Sequence, residues 1–166
     1  DSSTSRGLGD VYKRQGIHQF DPESMEFAAG AKLHEIGQCN SCHFYGEEFP
    51  TGDAPTWAPN LALTKERLNP GWVTEWLKNP GAIMPGTKMP APYVPDSEIL
   101  SMEGAENDWG KALVAIDGDT IAMLDGLRDY LWNIKGPTNI DAQIKAYFAE
   151  NGYDFDSESG DEYEDD

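Results

Sequence analysis

The chain has 166 residues, enough for one ordinary domain and too few for two comfortable ones. Twelve basic against thirty acidic side chains give a net charge of −18, which repels polyanions and argues against nucleic acid as a partner. No run approaches the roughly 18 apolar residues of a membrane-spanning helix, and two cysteines are too few for a disulfide framework.

In chain order, residues 1–15 (DSSTSRGLGDVYKRQ) show no apolar periodicity and no secretory apolar core. The string GLGDVYKRQ resembles translated sequencing-adapter read-through, so this stretch is expected to carry no part of the fold. A signal or anchoring segment is expected to have been lost ahead of it. Asp21-Pro22 then reads as an N-cap with Pro at the first helical position, opening a helix to Gly37. Asn69-Pro70 opens a second helix, in which Trp72, Val73, Trp76 and Leu77 share one face and Asn79-Pro80 gives the stop. A third begins near Asp119, with a stripe of Ile121, Leu124, Leu127, Leu131 and Ile134 and an end at Gly136-Pro137. Weaker helices are predicted over residues 96–102, 109–116 and 140–150. Strand alternation is nearly absent. Residues 150–166 hold nine acidic side chains and no basic one, so a disordered tail is expected there. Residues 16–149 form the expected domain, itself acidic with nine basic against nineteen acidic side chains. The pattern is all-α with long loops at 46–60 and 79–95, and such loops need something to pack on.

Cys39-Asn40-Ser41-Cys42-His43 is the informative pentapeptide. Two thiols three residues apart on a tight turn lie on one side, within reach of two neighbouring vinyl groups of a porphyrin. The histidine that follows brings an imidazole under the ring centre, where it can ligate iron. A cofactor fixed by thioether bonds would serve as the core that a short chain lacks. A zinc set of Cys39, Cys42, His43 and His34 fits no usual zinc spacing, and a dithiol redox motif would need a βαβ context.

Residues 26–136 resemble a class I c-type cytochrome domain. The resemblance is carried by that pentapeptide, the helix ahead of Cys39, Ala58-Pro59-Asn60-Leu61, NPGWVTEWLKNP, PGTKMP and the aromatic last helix with RDYLW. It implies an all-α, cytochrome c-like fold, three main helices and long loops wrapped around one covalently attached haem c. It also implies a site. His43 and Met89 would be the axial ligands, Met89 being preferred to Met84 because it stands in Gly86-Thr87-Lys88-Met89-Pro90. The Pro59 carbonyl would hold the His43 ring, and Asn60 would brace the loop. Arg67, Lys88, Trp76 and Tyr93 are the candidate donors to the propionates. Gly30, with Tyr130 and Trp132, would mark the crossing of first and last helices. Met84 reads as a gap-filling core residue, Met25, Met102 and Met123 as ordinary helix-face residues, and His34 and His18 as surface or helix residues. Residues 90–118 exceed what a minimal cytochrome needs and read as a covering loop.

The function implied is one-electron transfer by Fe(III)/Fe(II) cycling, in a monomer or a domain of a larger redox chain. The alternative is a haem with an open sixth position, acting as a peroxidase or gas sensor. With no residue cast as acid, base or nucleophile, the expectation is that the chain is not an enzyme. Covalent haem attachment implies a periplasmic or otherwise extracytoplasmic location. The acidic surface implies either redox partners with basic docking faces and salt-sensitive association, or solubility in a high-salt habitat.

Overall fold

A computed structural model of the chain describes residues 18–152. The expectations for residues 1–15 and for the tail beyond 152 therefore lie outside the described residues. What is described is mostly helical, with no strand; only isolated bridges occur, His43 with Ala58 and Tyr45 with Glu48.

Helix α1 spans Met25–Ile36. Its N-cap is Ser24, whose hydroxyl accepts from the Phe27 N–H, three residues later than the Asp21-Pro22 start expected. Asp21 is engaged in a turn instead: its carboxylate accepts from the Glu23 N–H and its carbonyl from that of Ser24. Such local side-chain bonds compete with helix initiation. Two short helices follow the first long loop: α2, Thr64–Arg67, and α3, Pro70–Lys78. The latter starts where the sequence placed it, on Asn69. Asn79 ends α3 and at once caps α4, Pro80–Ile83, so the expected stop is also a start. The last long helices are α8, Thr120–Asn133, capped by the Asp119 side chain, and α9, Asp141–Glu150.

Between α4 and α8 the stretch 90–118, expected as a covering loop with weak helices at 96–102 and 109–116, is largely helical, and both of those helices form. It contains α5, Ser97–Leu100, α6, Ala105–Trp109, and α7, Lys111–Ile116. It is also structural. Leu113 and Leu100 are buried in the same core as Leu33, Val73, Leu77, Leu124 and Leu127, and α7 packs on α1. Burying each such side chain fully stabilises the fold by about 1.5–3 kcal/mol.

The centre of the core is the crossing of α1 and α8. A Cβ built on Gly30 would stand 2.1 Å from the Gly126 carbonyl carbon, and one built on Gly126 would stand 1.9 Å from the Glu26 carbonyl oxygen. The small residue at position 30 therefore admits a backbone, and the aromatic residues flank the crossing. Tyr130 lies between Phe27 and His34, while Trp132 is buried against the edge of His18. The face of α8 is also turned slightly from the expected stripe: Met123 is fully buried and Ile121 is 44% exposed.

Candidate functional site

Immediately after α1, Gln38 takes a left-handed conformation (φ 48°) and redirects the chain into a 3₁₀ turn over Cys39–Ser41. The Cys39 carbonyl accepts from the N–H groups of both Cys42 (3.3 Å) and His43 (2.9 Å), which winds the pentapeptide tightly. Cys39 and Cys42 remain free thiols and are half-buried. Burial chiefly, with Cys42 adding, pushes the Cys39 thiol up, opposed by a backbone hydrogen bond.

The loop that follows folds back over this turn. Backbone N–H groups of Thr51, Gly52 and Ala58 donate to the carbonyls of Asn40, Ser41 and Cys42, and Leu61 donates to Phe44. That return brings Pro59 to His43, whose Nδ1 lies 2.7 Å from the Pro59 carbonyl oxygen. A carbonyl only accepts, so Nδ1 carries the proton and Nε2 is left with its lone pair. Burial lowers the His43 pKa, the Pro59 contact opposing it, so the ring is neutral at pH 7 and Nε2 is a ready metal donor. Asn60 is buried and works as a clamp. Its Oδ1 accepts from the N–H groups of Gly46 and Ala62, each at 3.0 Å, and its Nδ2 donates to the carbonyls of Gly46 (3.0 Å) and Pro137 (3.2 Å). The chain beyond α8 is thereby tied to the loop that carries Pro59.

The two candidate methionines differ in their settings. Met89 is half-buried and packs against the core, whereas Met84, expected to fill a gap in the core, is 57% exposed at the end of α4 and fills none. Met89 Sδ accepts a hydrogen bond from Trp76 Nε1–H at 2.9 Å. That is the indole's only N–H, so it is not free for a propionate in this arrangement. Trp76 in turn stacks on Trp72, with ring centroids 5.2 Å apart. The face expected for α3 thus divides: Val73 and Leu77 are buried, while Trp72 is 39% exposed. Arg67 is exposed in the last turn of α2, Lys88 is exposed ahead of Met89, and exposed Tyr93 lies against Trp109.

Several neighbouring groups had no signal in the sequence. Phe44 leads an aromatic cluster through Phe49 and Trp57 to Tyr147 on α9, with centroids 5.0–5.4 Å apart. His34, on α1, hydrogen-bonds the Tyr45 hydroxyl and packs on Tyr130, beside a cleft of about 760 Å³ that contains none of Cys39, Cys42, His43 or Met89. His18 is no surface residue. It pairs with Asp129 at 2.6 Å, and Arg128 bridges Asp129 to Asp125 and Thr74, fastening α3 to α8. Among the described residues no group of three or more His, Cys, Asp or Glu side chains is placed to hold a metal ion.

Among curated proteins the chain is similar to cytochrome c oxidase subunit 2 of Bacillus subtilis (strain 168), 37% identical over 83 residues. That match takes in 44% of this chain and 23% of the relative, so the chain spans about a quarter of that protein's length. No protein-family model matches. No solved structure matches. The match corrects one expectation. A chain read as no enzyme is similar to a subunit of an oxidase, which is part of an enzyme complex. It also gives the coarse reading of a redox role.

Proposed function

We propose that the chain is an electron-transfer domain of the c-type cytochrome class, with a cytochrome c-like fold around one covalently attached haem. More particularly, we propose that it serves as part of a larger oxidase assembly of the cytochrome c oxidase kind. The observation that carries the first reading is the Cys39–His43 turn. Two thiols stand on one tight turn, followed by an imidazole whose Nδ1–H is held by the Pro59 carbonyl, which leaves the Nε2 lone pair as the one available to a metal. The oxidase match supports the second.

The donor set fits a haem. Cys39 and Cys42 would supply the thioether sulfurs, and His43 Nε2 and Met89 Sδ would be the donors to the iron. When bound, the group supplies a one-electron Fe(III)/Fe(II) couple. The polypeptide would hold both donors in place. Pro59 fixes the imidazole, Asn60 fixes the loop that carries Pro59, and the core anchors Met89. Exposed Glu47, Glu48 and Asp53 on that same loop extend the acidic surface beside the site, which favours a partner with a basic face. Thioether attachment of c-type haem occurs outside the cytoplasmic membrane, and the proposed location is correspondingly extracytoplasmic.

The ligand assignment is tested by absorption spectroscopy of oxidised protein matured in a host able to attach haem c. The weak far-red sulfur-to-iron charge-transfer band should vanish in Met89→Ala and survive in Met84→Ala. A band untouched by Met89→Ala would place the sixth ligand elsewhere.

A further inference from the structure

Along the chain, Met89 is tied to the fold more firmly on one side than on the other. Ahead of it, residues 81–86 are exposed, and Gly86 takes a left-handed backbone (φ 89°) with nothing within 4 Å of a Cβ built there. Behind it, the prolines of Pro90-Ala91-Pro92 fix φ near −65° and stiffen a short arm, so an anchor at its far end is felt at Met89. That anchor exists. Val94 packs against the core, Pro95 is fully buried, and the Tyr93 ring lies on Trp109 with centroids 5.7 Å apart and planes at 32°. Trp109 ends α6, and Gly110 (φ 82°, ψ 153°) turns the chain into α7 through a conformation open in practice to glycine alone. The insert that presents Trp109 is closed on itself. Ser97 Oγ donates to the Asp117 carbonyl at 3.4 Å, and a Cβ on Gly118 would stand 2.0 Å from that same Oγ. It is also docked: Leu100, Ala105 and Leu113 are buried, and α7 packs on α1.

We propose that residues 97–118 are a strap, in which Trp109 is a positioning residue that pins Tyr93 and so, through the proline arm, keeps the Met89 sulfur available to iron. This rests on Met89 being a ligand, as proposed above. A sulfur that can swing away leaves its position open to small molecules for a fraction of the time. The apparent affinity of an added ligand is its intrinsic affinity scaled by that fraction. A stacked aromatic pair biases such a balance by about fivefold, so removing the Trp109 ring raises the open fraction by about that factor. The strap thereby separates two functions. With Met89 held, the site suits a pure electron carrier; with Met89 released, it becomes the open, ligand-binding site of a sensor or peroxidase.

The test is titration of the oxidised, haem-loaded protein with imidazole, which competes with Met89 and is read as loss of the far-red band. Trp109→Ala should bind imidazole about fivefold more tightly than the wild type, and Trp109→Phe, which keeps a ring against Tyr93, only about twofold more tightly. Tyr147→Ala, whose ring meets Phe49 and Trp57 instead, should leave the affinity unchanged although it also loosens the fold. In the reduced wild-type protein, proton NMR should show nuclear Overhauser contacts between the Tyr93 and Trp109 rings. Those contacts need no variant, and so decide the matter even if the Trp109 variants fail to fold. An unchanged imidazole affinity in Trp109→Ala, an equal gain in Tyr147→Ala, or no contact between the two rings would overturn the strap while leaving Met89 as ligand. Failure of the ligand assignment is separately visible, as a band that survives Met89→Ala.

Discussion

Replacing Asn60 by Ala removes a clamp whose cost can be worked out bond by bond. Its amide satisfies the N–H and carbonyl of buried Gly46, the N–H of buried Ala62 and the carbonyl of Pro137. The first three belong to buried residues, and Asn60 is the hydrogen-bond partner of each among the described residues. Leaving one buried backbone group unmet costs about 1–3 kcal/mol. Partial entry of water brings the sum for three to about 3–5 kcal/mol. Asn60→Asp keeps the acceptor but loses both donated bonds and buries a charge, so it should cost about as much. Urea unfolding of the haem-loaded variants, followed by far-UV circular dichroism and tryptophan fluorescence, reads this as a fall in midpoint at constant slope. A loss below about 1 kcal/mol for Asn60→Ala would refute the clamp.

Gly126→Ala would drive a Cβ to 1.9 Å from the Glu26 carbonyl oxygen and should destabilise by about 3 kcal/mol or more. Gly86→Ala, with nothing within 4 Å but φ at 89°, should cost only about 1–2 kcal/mol of backbone strain, and thermal unfolding of both separates crowding from strain. His34 gives a pH limb. Burial first and nearby His43 second hold its pKa below the ordinary value of about 6.5, with Tyr45, Tyr130, Lys32, Glu35 and Glu48 around the same cleft. The stability tied to its neutral form is therefore whole above about pH 6.5 and is lost as pH falls below it, and His34→Gln should flatten that part of a stability–pH curve. Tyr147→Ala, which removes the ring of α9 that meets Phe49 and Trp57, should loosen α9 first, seen as faster amide exchange confined to residues 141–150.

The parts legible from sequence are those in which one residue carries the signal. Asn69 and Asp119 cap the helices expected of them because an Asx side chain before an apolar run has few other roles. Asp21 carried the same signal and was misread, since its oxygens serve a turn and Ser24 takes the cap. The pentapeptide announced its own turn, and the Pro59 contact to His43 was implied by resemblance alone. Residues 90–118 carry only weak helix signals, at 96–102 and 109–116, because helices of four to six residues span little of a periodic pattern; both form, and Ala105–Trp109 between them is the piece without a signal of its own. The meeting of Gly30 with Gly126, and that of Phe44 and Trp57 with Tyr147, join segments far apart in the chain. No local pattern encodes such pairings. The Trp76 contact with Met89 belongs with them, because a helical spacing of aromatic residues marks a face but says nothing of where an indole N–H points.

The most direct test of the central claim is the intact mass of the protein after maturation in a host that attaches haem c, measured before and after treatment with a thiol-alkylating reagent under denaturing conditions. The account predicts the polypeptide plus one haem, with Cys39 and Cys42 both refractory to alkylation. A bare polypeptide mass with two alkylated cysteines would contradict it.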